Sequence, residues 1–333
     1  MQLQAALQNP KRLQQLLQTA LTKRQPLEES VQTNAYRVFN ALGDGIEALT
    51  IDRFASVLVL SLYSKLEPQL EQTLLECVAE VYQPESIYVK RRPKEARIVA
   101  NTERDLLAPE AAAWGVDTPE LTVLESGRRF VIRAGGDLSV GIFLDMRLTR
   151  DWLQENIGSS RVLNCFSYTC GFGVAAALGG ATRVVNLDLS RRVLDWGQEN
   201  YKKNRLVPRD MDFIAGDTFD WFKRLTRRED KFDAVILDPP SFATSKHSRF
   251  SAASNYDDLV AQAVRLLEPH GLLLACCNHA KLSRLQFKKD LARGLERAGR
   301  GYNLIKSLRQ SSLDFPVPTT AEAPLKVFAL EVI

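Results

Sequence analysis

Residues 161–188 read RVLNCFSYTCGFGVAAALGGATRVVNLD, and this stretch decides the fold. It opens on a short apolar run, Val162-Leu163-Asn164-Cys165, whose length and flanks suit a buried strand. A polar, glycine-bearing turn runs from Ser167 to Gly173. A helix-like segment, Val174 to Leu178, closes on Gly179-Gly180, and a second apolar run, Arg183 to Leu187, ends on Asp188. Strand, glycine turn, helix, strand, acid is the plan of a nucleoside-binding βαβ unit. Glycines let backbone approach the ligand, and the acid accepts hydrogen bonds from ribose hydroxyls.

Downstream the alternation continues. Ser190 caps a helix from Arg191 to Asn204 that carries Trp196, Asn200 and Asn204. A short strand at Asp212–Ala215 precedes Gly216-Asp217 and a helix through Trp221 and Phe222. The buried run Phe232 to Leu237 ends in Asp238-Pro239-Pro240-Ser241-Phe242. A polar loop, Ala243 to Ser254, leads to a helix from Tyr256 to Leu267. The strand Leu272 to Cys277, a helix over Leu285–Arg297 and strands near Asn303–Leu308 and Lys326–Val332 follow. Such a pattern predicts a mostly parallel sheet with both faces covered, whose ligand sits beyond the carboxyl ends of the strands. Phe166, Asp188, Asp217, Asp238 and Cys277 all fall there.

Upstream, leucines at 3, 7, 13, 16, 17 and 21 predict a helical arm that packs on the body or on a partner, ended by Pro26. A small α+β region occupies about 35–137, with a hairpin of Leu121–Glu125 and Arg129–Arg133 around Ser126-Gly127-Arg128. The segment GIFLDMRLTR, 141–150, joins it to the parallel sheet. The expected division is therefore 1–34, 35–137 and 138–333.

A chain of 333 residues can hold two cores, and 45% hydrophobic with 25% charged residues is an ordinary globular balance. No apolar run reaches the length of a membrane span, and no signal peptide is recognisable. The five cysteines, at 77, 165, 170, 276 and 277, are not spaced for zinc, so no metal is expected and reduced thiols in a cytoplasm are. The net charge of +4 is mild. Local clusters such as Lys90-Arg91-Arg92-Lys94, Arg191-Arg192, Lys202-Lys203-Arg205 and Arg227-Arg228 are each compatible with a solvated face, and together they favour an RNA surface. The sequence leaves the oligomeric state open, a homodimer included.

A nucleoside site serves NAD, ATP or S-adenosylmethionine. A pyrophosphate needs several backbone N–H groups at an open glycine turn, and 167–173 is bulky there; no G-x-x-x-x-G-K-[ST] occurs. S-adenosylmethionine has no phosphates. It needs an acid for the ribose diol, a partner for the adenine amine and a polar rim for its methionine end, and Asp188, Asp217 and Asp238 form such a set.

VLNCFSYTCGFGVAAALGGATRVVNLDLS, DFIAGDTFDWF and FDAVILDPPSFATSK resemble the motifs of a family of class I methyltransferases. That family includes the large-ribosomal-subunit RNA cytosine-5 enzymes and the related guanine-7 enzyme domain. GIFLDMRLTR and GDGIEALTIDRF resemble its segments ahead of the first motif and at the start of its central domain, so the likeness runs from about residue 40 to the C-terminus. The resemblance implies a Rossmann-like α/β sheet with a C-terminal antiparallel strand, preceded by a small α+β domain. It implies an S-adenosylmethionine-dependent enzyme acting on RNA. Asp188 would hold the ribose and Asp217 the adenine amine. Asn164, Phe166, Gly171 and Ser190 would line the cofactor, Phe143, Asp145 and Arg147 would close over its methionine end, and Asp238 would face the transfer centre.

The chain departs from the family in three places. The N-terminus is too short and helical for the PUA domain that many members carry. Cys170 stands at the turn's usual second glycine, a tolerable change if the backbone there is unstrained. The third concerns chemistry. Cytosine carbon-5 needs a cysteine thiolate added to the ring, whereas guanine nitrogen-7 is nucleophilic already. An ungapped match puts Asn278 at the position of that cysteine, with Cys277 one residue earlier. Cys276 and Cys277 also read as small apolar residues closing a buried strand. Asp238, Ser241 and Cys277 are the candidate catalytic residues, Phe242 is placed to stack on an extruded base, and Lys246, His247 and Arg249 suit phosphates. A methyltransferase acting on a protein or small molecule, and a non-catalytic RNA-binding or assembly factor, are the alternatives.

Overall fold

The computed structural model describes residues 1–92, 104–240, 242–244, 249–251, 255–280, 282–318 and 323–333. The chain divides into two compact units, Met1–Leu144 with Ser311–Ala321, and Asp145–Gln310 with Glu322–Ile333. The sequence placed this division at 137/138.

In the first unit, α1 (Leu3–Leu7), α2 (Pro10–Lys23) and the short α3 (Gln25–Glu28) precede β1 (Ala35–Asn40), β2 (Leu49–Phe54) and β3 (Val57–Leu62). Then come α4 (Pro68–Tyr82), β4 (Ser86–Arg91), α5 (Arg104–Leu107), β5 (Trp114–Gly115), β6 (Glu120–Glu125) and β7 (Arg128–Arg133). The helical arm breaks earlier than expected. The Asn9 side chain accepts from the Arg12 N–H and Pro10 opens α2, whereas Pro26 sits in the first turn of α3, where its missing N–H costs nothing. Leu3, Leu7, Leu13 and Leu17 of the arm join Leu58, Leu60, Leu74 and Val78 in one core, so the arm packs on the first unit. The sheet runs β1-β2-β3-β4-β5, with only β3 and β4 parallel, joined through α4. The β6–β7 hairpin turns through Ser126 and Gly127, both at positive φ (48° and 79°), as a two-residue hairpin turn demands. Buried Arg24 pairs bidentately with buried Asp44 at 2.8 and 2.6 Å and donates to the Asp314 carbonyl, which ties Asp314 to the end of α2.

The second unit alternates as the opening stretch implied. Its elements are α6 (Arg147–Asn156), β8 (Arg161–Cys165), α7 (Gly171–Leu178), β9 (Arg183–Asp188), α8 (Arg191–Lys203), β10 (Phe213–Ala215), α9 (Thr218–Arg227) and β11 (Phe232–Leu237). β12 (Phe242–Thr244), β13 (Arg249–Ser251), α10 (Tyr256–Ala263), β14 (Leu267–Cys277), α11 (Arg284–Arg297), β15 (Tyr302–Leu308) and β16 (Lys326–Val332) complete it. The main sheet has the order β10-β9-β8-β11-β14-β16-β15. β8 to β11 and β14 pair in parallel, and β16 runs antiparallel between β14 and β15. This is the expected Rossmann-like sheet with its C-terminal antiparallel strand. One expectation fails: within the stretch read as a polar loop, β12 and β13 pair antiparallel as a small hairpin.

Alternation along the strands fills two cores. Leu163, Cys165, Val235, Leu237, Leu273, Ala275 and Cys277 enter the layer shared with Phe222, Leu259 and Leu291. Val162, Ala234, Ile236, Leu274 and Cys276 enter the layer shared with Leu153, Phe172 and Ala176. Cys276 and Cys277 therefore point to opposite faces, and both are buried.

Candidate active site

The register aligns the carboxyl ends of the parallel strands. Cys165 pairs with Leu187 on one side and Leu237 on the other, and Leu237 pairs with Ala275. Read across the sheet, the groups just past those ends are Asp217 after β10, Asp188 closing β9, Phe166 after β8, Asp238 after β11 and Asn278 after β14. Neighbouring strands lie about 4.8 Å apart, so Asp188 and Asp238, two strands apart, stand roughly 10 Å from each other at strand level. That span suits a nucleoside with a side arm.

Between β8 and α7 the chain turns through three side-chain-bearing residues in the left-handed region, Phe166 (φ 57°), Tyr168 (φ 48°) and Cys170 (φ 62°). Cys170 therefore sits where a glycine is favoured, and its backbone is strained by on the order of 1–2 kcal/mol. The turn spends its own amides internally. Ser167 N–H donates to the Leu187 carbonyl at 3.1 Å, Cys170 N–H to the Ser167 carbonyl at 2.7 Å and Tyr168 N–H to Asp188 Oδ2 at 2.9 Å. These amides are not left for a pyrophosphate, which gives the crowded turn its physical meaning.

Asp188 is fixed from two sides, since its Oδ1 accepts the Ser190 N–H at 3.0 Å. Burial raises its carboxyl, and the amides of Ser190, Tyr168 and Leu189 oppose the rise. Ser190 stands at the N-cap position of α8, but its side chain makes no capping bond; its backbone orients Asp188 instead. Asp217 caps α9, Oδ1 accepting from the Phe219 and Asp220 amides at 2.9 and 3.2 Å. Phe166 packs partly into the core, and Gly171 opens α7. Asn164 is buried beneath the turn, and its Nδ2 donates to Asn186 Oδ1 at 2.9 Å.

On the β11–β14 side, Asp145 Oδ2 accepts from Asn278 Nδ2 at 2.9 Å, which brings the start of α6 to the end of β14. Asp238 is pushed up to about 7, first by burial and then by the neighbouring charge of Asp145, against the pull of Arg150. Arg147 and Arg150 are both buried, and the Arg150 guanidinium lies 5.9 Å over the Phe172 ring. Arg150 and Asn278 were absent from the expected site, although both lie in segments the sequence singled out. Phe143 belongs to the first unit, where it is half exposed. Ser241, Lys246 and His247 lie outside the described residues, as do the side chains of Phe242 and Arg249.

Cys277 is buried in the core, and burial raises its thiol. The His279 amide and the Lys326 ammonium, on the residue paired with it in β16, oppose that rise. Cys165 and Cys170 lie well above the usual thiol range because they are fully enclosed. A separate cavity of about 260 Å³ is lined by Arg161, Arg183, Phe213 and Phe232, each the first residue of its strand, so it lies away from the acids.

A family model for S-adenosylmethionine-dependent methyltransferases matches residues 37–300. The chain belongs to the S-adenosylmethionine-dependent methyltransferases. It is 33% identical over 305 residues to the ribosomal RNA large subunit methyltransferase I of Aeromonas salmonicida, covering 91% of this chain and 75% of that one. It is 31% identical to the protein of the same name from an Enterobacter species, covering 91% and 76%. The solved structure of the methyltransferase SMU.776 complexed with SAH (S-adenosylhomocysteine) superposes with a TM-score of 0.86 at 30% identity, covering 97% of this chain and 82% of that one.

The cofactor of this methyltransferase is S-adenosylmethionine, and the donor set fits it. The Asp188 oxygens accept from the Tyr168 and Ser190 amides, with the Leu189 amide also facing the carboxylate, and a carboxylate has about four acceptor directions, so room is left for a ribose hydroxyl. A Cβ added at Gly171 would meet nothing nearer than the Arg150 side chain at 3.6 Å, so backbone can be approached there.

The raised carboxyl of Asp238 has a thermodynamic consequence. Its value in the folded chain lies above the roughly 3.9 of an unfolded aspartate, so the folded state holds the proton more tightly. The group costs no stability below about pH 4 and its full cost above about pH 7. Urea denaturation of the wild type and Asp238→Asn should show the wild type losing ground to the variant between pH 4 and pH 7, by up to roughly 4 kcal/mol. A pH-independent difference would show that Asp238 ionises normally.

Proposed function

We propose that this methyltransferase methylates a base of large-subunit ribosomal RNA, with the cofactor lying along the strand ends from Asp217 past Asp188 to Asp238. The relatives named for large-subunit ribosomal RNA support the substrate, because the likeness extends over 91% of the chain. The row of acids supports the placement of the cofactor: Asp188 for the ribose, Asp217 for the adenine amine, Asn164 supporting the turn from below, and Phe166, Gly171 and Ser190 around the nucleoside. Asp145 and Arg147 serve the methionine end.

When bound, the cofactor supplies a methyl group on a positively charged sulfur, which departs with the electron pair of the broken bond. The chain's task is to hold the base in line with that bond and manage protons. A carboxyl near pH 7 suits Asp238 to this, since it accepts a hydrogen bond from an exocyclic amine when ionised and donates to a ring acceptor when protonated.

Cytosine-5 is the reading in which Cys277 has a role. Its thiol would lose a proton, with Asp238 the nearby carboxylate, and its sulfur would bond to the ring beside carbon-5. Carbon-5 then bonds the methyl group, its own proton passes to water or a base, and the electron pair left behind re-forms the ring double bond and expels the sulfur from the neighbouring carbon. The observation in favour is local: the His279 amide and Lys326 both support the Cys277 thiolate. Guanine-7 is the second reading, favoured by the burial of that thiol, and it requires no covalent adduct. Cys277→Ala is expected to cut turnover at least about 100-fold while SAH binding persists, as loss of a nucleophile does. Near-normal turnover would assign the guanine-7 route.

Mass-spectrometric nucleoside analysis of ribosomal RNA from cells with and without the gene tests the substrate. One methylated base of the large subunit should vanish without the gene and return on complementation. Unchanged large-subunit RNA would remove the proposal.

A further inference from the structure

The left-handed residues of the turn, Phe166, Tyr168 and Cys170, are not glycines, so the turn's own sequence does not select its shape. One face of α8 meets it at successive points. Trp196, Gly197, Asn200 and Tyr201 share that face through their i, i+4 and i, i+3 spacings. The Trp196 ring lies 6.2 Å from that of Tyr168, tilted by 56°. A Cβ on Gly197 would stand 2.3 Å from Cys170 Sγ, so the cysteine side chain fills the space the helix glycine leaves. Buried Asn200 donates through Nδ2 to the Thr169 carbonyl at 2.9 Å. Tyr201 accepts from Asn186 at 3.0 Å, and Asn186 in turn accepts from Asn164. This polar chain lies directly under Gly173, where an added Cβ would come within 2.2 Å of Asn186 Oδ1.

We propose that α8 imposes the cofactor-binding shape of the turn, with Asn200 a positioning residue acting through the Thr169 carbonyl and Gly197 matched to Cys170. None of these side chains needs to touch the cofactor. The helix that begins three residues after Asp188 thus governs both halves of the nucleoside site: Ser190 orients the acid, and Gly197 and Asn200 hold the loop that faces it. A generic packing role would lower the melting temperature and leave the affinity of the folded protein alone. A positioning role shifts affinity in protein that is fully folded.

The inference rests on the turn being the cofactor site, and calorimetry with SAH on the full chain separates the two claims. Asn200→Ala should weaken SAH binding about tenfold, the effect of one buried hydrogen bond. It should raise KM for S-adenosylmethionine to match, and leave kcat at saturating cofactor within about twofold. Gly197→Ala should weaken SAH binding further, and Cys170→Gly added to it should restore most of the affinity by removing the clashing sulfur. Asn204→Ala, one turn further along the same helix, serves as the control and should bind as the wild type does. Folded Asn200→Ala with wild-type affinity would overturn the proposal. If that variant does not fold, failure of Cys170→Gly to rescue Gly197→Ala overturns it. Wild-type binding by Asp188→Ala would instead remove the site on which it rests.

Discussion

The hold that the Tyr168 and Ser190 amides keep on the Asp188 carboxylate is the constraint on which the second unit depends. It joins the turn after β8 to the start of α8 across the end of β9. In the proposed site those three pieces bound the ribose. The carboxylate, partly stripped of water, is stabilised by peptide dipoles and not by a neighbouring cation. Its acceptor directions therefore remain available to hydroxyl groups. Parallel pairing carries the same logic along the sheet, because it places every strand's carboxyl end, and the side chain just beyond it, on one edge.

The other end of that edge follows different physics. Burial and then the charge of Asp145 raise the cost of ionising Asp238, Arg150 lowers it, and Asn278 engages Asp145. The outcome is a carboxyl poised near pH 7 beside the end of the strand that carries Cys277. One edge thus holds a carboxylate fixed by backbone amides, Asp188, and a carboxyl raised by burial and a neighbouring like charge, Asp238. Two aspartates of identical chemistry differ because their surroundings do.

Much of this was legible in the sequence because period and punctuation are local properties. The apolar runs at 162–165, 183–187 and 232–237 are strands within a residue or two, and Asp188, Asp217 and Asp238 fall past strand ends as read. Contacts between distant residues were not legible. The side chain of Cys170 gives no sign of its left-handed backbone, and where its sulfur fits depends on Gly197, 27 positions away, whose missing side chain makes room for it. Asn164 is a nucleoside-side residue by position, yet its amide is turned to Asn186 on the next strand. Ser190 looks like a side-chain cap and works through its backbone. The break before Pro10 was not read from the sequence, which took Pro26 as the end of one helix; the Asn9 side chain caps α2 there.

The measurement that tests the account most directly is a crystal structure of this chain with SAH. The account predicts ribose hydroxyls within hydrogen-bonding distance of both Asp188 oxygens, the adenine toward Asp217 and the sulfur toward Asp238. SAH seated instead in the cavity at the amino ends of β8 to β11, among Arg161, Arg183 and Phe213, would contradict it.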